Sequence, residues 1–148
     1  MQRRLLVVFG GAVALFGAVA GVMAAGRGDT ANVELASLSG AELVADENML
    51  LVDIRTPGEW QQTGIVEGAL LITYTDAASF LSAVKPHLGP DQTLALICRS
   101  GNRTSRAARQ IAGLVENPVV DVAGGMLRVV REGYTPVASS NGIQCLTC

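Results

Sequence analysis

Charge is scarce in this chain and nearly cancels: 11 Lys and Arg stand against 13 Asp and Glu in 148 residues, for a formal net charge of −2. Without a basic field, nothing argues for a nucleic-acid partner. Histidine is scarcer still. The only one, His87, lies just beyond Pro86 at the end of a helical pattern, where an exposed position suits it, and a Cys–His nucleophile pair is accordingly disfavoured. Of three cysteines, two form the C-terminal Cys145-x-x-Cys148. No second pair completes the four ligands usual for structural zinc, so no metal and no cofactor is expected. Internal repeats are missing too, and the length leaves no room for a second full domain.

What is present begins with an apolar start. In "MQRRLLVVFGGAVALFGAVAGVMAAGRGD", Arg3 and Arg4 precede an uncharged stretch from Leu5 to Ala25. The layout is that of an exported protein, with A-x-A-like sites at Ala18-Val19-Ala20 or Val22-Met23-Ala24. Residues 1–25 are therefore expected to be a signal peptide, or an N-terminal membrane anchor, since the stretch is close to the ~20 residues that span a bilayer. Either reading gives a periplasmic or otherwise exported domain. Membrane contact is then limited to the uncleaved segment, with residues 5–25 anchored in an inner membrane and residues 26–32 a linker.

From Val33 the chain alternates apolar runs with helical patterns. "SLSGAELVADE" offers Ser39 as the cap of a short helix, and "TPGEWQQT" has Thr56 as cap with Pro57 in the first helical position. "NMLLVDIR", "GALLITY", "TLALIC" and "PVVDVAGG" read as strands. "TDAASFLSAVKPHL", "RTSRAARQIAGLVEN" and "GMLRVVREGY" read as helices, the second with Ala107, Ala108, Ile111 and Leu114 on one face. Wholly apolar strands spaced by helices predict an α/β fold: an open, mainly parallel sheet flanked by helices on both faces. The connection "QTGIVEG" reads as a loop, and the tail "VASSNGIQCLTC" as irregular and exposed.

Ligands of such sheets bind where strands end and helices begin. Cys98 stands there, directly after "TLALI". If "CRSGNR" curls into the start of the next helix, its amides converge on the sulfur and on any bound anion, with Gly101 supplying the backbone freedom. The helix N-terminus together with Arg99 and Arg103 should favour the thiolate, the reactive form. Arg106 and Arg109, further along, are more simply a solvated helix face.

Three separated pieces resemble the single-domain rhodaneses, the thiosulfate sulfurtransferase-like proteins: "LLVDIRTPGEW", "ICRSGNRTSRAA" and "DVAGGMLRVVREGYTPV". The resemblance spans residues 33–137, leaving 138–148 as a tail with the CxxC. It implies Cys98 as catalytic cysteine, and Arg99, Ser100, Gly101, Asn102, Arg103 and Thr104 as the substrate-binding loop. Asp53, Arg55 and Glu59 become structural support, with Asp121 in a similar role. The implied activity moves sulfane sulfur from a small anionic donor, thiosulfate or a persulfide, to a thiol or cyanide acceptor through a Cys98 persulfide. A redox protein is among the acceptors this admits. Two features depart from the family pattern: Ile65 and Glu67 stand in "GIVEGA" where G-H-I-P-G-A is usual, and Val129 stands where a tryptophan is common. Trp60 reads as core packing.

Other readings remain open at this point. Cysteine phosphatases place five residues between cysteine and arginine, and here that position is Thr104, Arg103 coming one earlier. A non-catalytic persulfide carrier or binding module, and a cysteine-dependent oxyanion (arsenate) reductase, are the principal alternatives. For Cys145 and Cys148 the choices are a local disulfide without further role or a redox relay that accepts sulfur or electrons from Cys98.

Overall fold

The computed structural model describes residues 33–144. The expected export segment, the linker, Cys145 and Cys148 lie outside the described residues. Among those described, no helix is long and apolar enough to cross a membrane. In chain order the elements are β1 (Val33–Ala36), α1 (Gly40–Ala45), β2 (Met49–Asp53), α2 (Pro57–Thr63), β3 (Leu70–Leu71) and α3 (Ala77–Val84). They continue with β4 (Thr93–Ile97), α4 (Asn102–Ile111), β5 (Val119–Val122), α5 (Gly125–Arg131), a 3-10 turn (Ser139–Asn141) and β6 (Ile143–Gln144).

The strands form one sheet in the order β1-β5-β4-β2-β3-β6, every pairing parallel. Alternate residues of β4 explain the layering. Leu94 and Leu96 face one way, onto Phe80, Leu81 and Val84 of α3 and Ala107, Ala108 and Ile111 of α4. Ala95 and Ile97 face the other, with Leu43 of α1, Met126 and Val129 of α5, and the half-buried Trp60 of α2. Both faces are covered, as an all-parallel sheet requires.

The caps follow the expected chemistry. Ser39 and Thr56 each close a capping box with a glutamate three residues on, Glu42 and Glu59, and Pro57 occupies the first turn of α2. Helix α3, capped by Asp76, ends at Val84, two residues before Pro86. His87 is exposed.

Three expectations are corrected. Leu114 is 56% exposed and not on the apolar face of α4: the helix ends at Ile111, and the Leu114 amide turns back onto Ile111 O, out of the 3.6-residue period. The "GALLITY" strand shrinks to Leu70–Leu71, although Ile72 and Tyr74 still donate to Asp53 O and Ile54 O.

The third correction is the tail. Over Ser139–Gln144 it is a 3-10 turn and an edge strand, with Ile143 N donating to Ala69 O at 2.9 Å. Gly142 permits this docking, because a Cβ there would lie 2.6 Å from Ile65 Cδ1 and 2.9 Å from Ala69 O. The "GIVEGA" loop forms its floor: Ile65 is fully buried and bridges to Val137, exchanging backbone hydrogen bonds of 2.9 and 3.0 Å.

Candidate active site

Cys98 follows β4 at the carboxyl edge of the sheet, and its chain turns at once into α4. The turn is possible because Gly101 adopts φ +93° as the cap of that helix. Its amide thereby points back and donates to Cys98 Sγ at 3.2 Å. Of the loop amides expected to converge on the sulfur, Gly101's is the one within hydrogen-bond distance. Cys98 is 1% exposed, so the sulfur lies on the floor of the loop.

Thr104, also fully buried, comes from the first turn of α4, with Oγ1 3.6 Å from Sγ and donating to Gly101 O at 2.8 Å. A hydroxyl has one proton. With that proton on Gly101 O, the thiol is the donor toward Thr104; against a thiolate the same hydroxyl can rotate and donate to sulfur. Arg99, Ser100 and Asn102 are exposed and form the rim.

Arg103 is brought to a different partner. Its guanidinium forks onto Glu59 of α2, with Nη1 donating to Oε2 at 2.8 Å and Nη2 to Oε1. Glu59 also accepts from the amide and hydroxyl of Thr56, both at 3.0 Å. Arg103 first, and then the Thr56 amide and hydroxyl, hold the Glu59 carboxyl down at about 2, against the opposing effect of partial burial. The Arg103 guanidinium is raised in turn, chiefly by that hydrogen bond.

Asp53 and Arg55 form a buried pair, 0% and 1% exposed, at the end of β2. Arg55 Nε donates to both Asp53 oxygens at 2.9 and 3.0 Å, Nη2 to Asp53 and to Gly64 O at 2.7 Å, and Nη1 to Thr63 Oγ1 at 2.6 Å. The pair thus fastens the far end of α2 to the sheet while Glu59 fastens the near end to the loop. Asp121 of β5 accepts from Ser105 Oγ and ties α4 to its other neighbour.

The strongest support for the loop was not assigned to the site from sequence. At the start of α5, Met126 N donates to Cys98 O at 2.9 Å and Leu127 N to Arg99 O at 3.0 Å. Gly125 has φ +55°, and a Cβ there would come 2.3 Å from Cys98 O; Gly124 N lies 3.3 Å from where a Gly101 Cβ would be. The visible signal was the glycine pair after β5, whose contact across the sheet edge no local pattern reveals.

Among the described residues no group of His, Cys, Asp and Glu could hold a metal ion. The arrangement is a sheltered sulfur with one amide donor, one hydroxyl and an exposed rim, groups suited to nucleophilic attack and to holding an anion on the sulfur.

A sequence profile described as Rhodanese-like domain matches residues 39–132. A sulfurtransferase of Allochromatium vinosum is 32% identical over 106 residues, 71% of this chain and 94% of that protein. The crystal structure of a rhodanese-related protein from Thermoplasma volcanium superposes with a TM-score of 0.51 at 29% identity, covering 66% of this chain and 93% of the other. A thiosulfate sulfurtransferase from Pseudomonas aeruginosa shares the fold, with a TM-score of 0.57 at 18% identity over 76% of this chain and 21% of its own length.

Proposed function

The chain belongs to the rhodanese-like family, and from that premise we propose that it is a sulfurtransferase working through a Cys98 persulfide. Cys98 thiolate attacks the outer sulfur of thiosulfate or of a persulfide. The bond between the donor's two sulfurs breaks, and its electron pair leaves with sulfite or a thiolate. An acceptor thiol or cyanide then attacks the outer sulfur of the Cys98 persulfide and releases the Cys98 thiolate.

The observation that carries this reading is the placement of Sγ at the strand end, beneath the Gly101 amide and beside Thr104 Oγ1. Those two groups would hold the thiolate and then the anionic persulfide. Arg99, on the exposed rim, would attract an anionic donor. Because Arg103 is engaged by Glu59, its role is to hold the loop rather than to grip a tetrahedral oxyanion, which counts against phosphatase and arsenate chemistry.

The test is intact mass of the reduced full chain before and after thiosulfate, beside Cys98→Ser. A gain of one sulfur atom, removed by cyanide and absent in the variant, is expected. No gain from thiosulfate or from a persulfide donor would refute the reading. The burial of Cys98 favours one second reading, a persulfide carrier for a partner enzyme. It is distinguished by a persulfide that forms but is not discharged by cyanide.

A further inference from the structure

Charge is divided along the chain. Residues 33–97 carry nine Asp and Glu against two Lys and Arg, whereas residues 98–131 carry six Arg against Glu116 and Asp121. Asp121 is buried and engaged by Ser105. Of the six arginines, Arg103 pairs with Glu59 and Arg128 with Glu132. Arg99, Arg106, Arg109 and Arg131 are exposed and make no ion pair among the described residues.

Their placement is not scattered. On α4, Thr104, Ala107, Ala108 and Ile111 are buried, which turns Asn102, Arg106 and Arg109 to the opposite side as one stripe that starts at the rim of the Cys98 loop. No acidic residue stands three or four places from Arg106 or Arg109, and the two repel each other at i,i+3 toward the positive end of the helix. A face that had only to meet water would be served better by acidic or mixed residues. From Asn102 the stripe extends about 10 Å along the helix axis, so a small donor anion at Sγ cannot touch both ends. On the other face of the sheet α5 meets the same rim: Leu127 N donates to Arg99 O, and Leu127, Val130 and Arg131 are exposed. Apolar side chains bordered by unpaired arginines have the composition of a protein-binding surface.

We propose that this border of the mouth, Arg99, Arg106 and Arg109 with Leu127, Val130 and Arg131, docks an acidic protein that carries the acceptor thiol. The inference deepens the proposed function and rests on the Cys98 persulfide. The docked partner's thiolate attacks the outer sulfur, the bond to Cys98 Sγ breaks with its electron pair leaving on Cys98, and the partner departs as the persulfide. The burial of Cys98 suits this order, because the partner meets the outer sulfur at the mouth and never Sγ itself. A protein fits better than an anionic lipid surface, since a membrane laid across the mouth would bring no thiol and would shut out the donor. Complementary charge raises the encounter rate, and salt removes the gain.

The test uses the full chain and the double variant Arg106→Glu/Arg109→Glu, which changes only exposed side chains and should melt no lower than wild type because it relieves the repulsion on α4. The probe is a glutamate-rich peptide with one central cysteine. With the persulfide loaded and donor removed, the peptide should discharge wild type roughly tenfold faster than the variant or more at low salt. The difference should vanish near 1 M salt, where the Debye length is about 3 Å. Neutral 2-mercaptoethanol should discharge both chains alike. Comparing chains with one peptide keeps the peptide's own thiol chemistry constant. Equal discharge of both chains by the peptide would overturn the proposal and leave the Cys98 persulfide standing.

A second arm needs no sulfur chemistry. Anisotropy of a fluorescein-labelled glutamate-rich peptide without cysteine reads binding to Cys98→Ser with and without the two charge reversals, and binding should weaken in their presence. Unchanged binding would overturn the proposal whether or not any donor loads Cys98. Variant-sensitive binding to phosphatidylglycerol vesicles with no variant-sensitive peptide binding would overturn it in favour of a lipid surface. Failure to load any donor would instead count against the proposed function, with the anisotropy still deciding the docking surface.

Discussion

Replacing Glu59 by Gln should remove the charge that holds Arg103 while sparing most of the helix cap, because Gln at the third helical position can still serve a capping box. In the wild type the Glu59 carboxyl is lowered from 4.5 to about 2, first by Arg103. Taken at face value that drop is worth roughly 3 kcal/mol. The two side chains are 36% and 25% exposed, so water and salt screen the pair. A contribution of about 1–1.5 kcal/mol is the appropriate expectation.

The sign follows from a carboxyl that is more acidic when folded. The stabilisation is fully present above the ordinary 4.5 and is lost as pH falls toward about 2. Urea unfolding of wild type and Glu59→Gln at neutral pH should show the variant weaker by about 1–1.5 kcal/mol. Near pH 2 the two curves should converge, since protonation removes the same charge. Effects of acid on other carboxyls are shared and cancel in the difference. An equal gap at both pH values, or none at neutral pH, would refute the assignment of Arg103 to Glu59.

Two further substitutions probe the supports of the loop. Arg55→Ala strands the buried Asp53 carboxylate and frees Thr63 and Gly64; it should cost about 3–5 kcal/mol, and Arg55→Lys should restore little because an ammonium cannot make the fork. A thermal melt within a degree or so of wild type would contradict the buried pair. Gly125→Ala puts a methyl 2.3 Å from Cys98 O at φ +55°; it should destabilise by at least about 2 kcal/mol and slow sulfur loading of Cys98, both unchanged if the close approach is not real.

How much of this was legible in the sequence depended on the range of the interaction. Thr56, Pro57 and Glu59 carry their capping chemistry within four residues, so the start of α2 could be read directly. The placement of Cys98 followed from an apolar run of strand length meeting a glycine loop. Leu114 misled because its spacing fits the helical period, whereas the chain tightens at Ile111 and leaves it outside. The edge strand was invisible for a different reason. "NGIQ" has neither alternation nor an apolar run, and it pairs because Gly142 fits against Ile65 and Ala69, more than 70 residues earlier.

The site residues divide in the same way. The Asp53–Arg55 pair is local, two residues apart and closing a strand. By contrast, Arg103 on Glu59 spans 44 residues. Charge and loop position alone pointed Arg103 at a bound anion, since its competing partner comes from another helix.

The depth of Cys98 gives the proposed cycle a directional selectivity. With the residue 1% exposed, a donor must bring its sulfur down into the loop, past the rim of Arg99, Ser100 and Asn102. On the proposed mechanism, bulk around the donor sulfur would be excluded and a small anion favoured. Once the persulfide forms, its outer sulfur stands one S–S bond, ~2 Å, nearer the mouth. An acceptor would not need to enter the loop to reach it, so on the proposed mechanism a thiol on a protein could serve as acceptor where it could not have served as donor. The supports found around the loop act to preserve this asymmetry. Met126 and Leu127 amides hold the carbonyls of Cys98 and Arg99 from one side, and Arg103 on Glu59 holds the start of α4 from the other. A looser loop would expose Sγ itself and admit larger donors, and the difference between the two half-reactions would shrink.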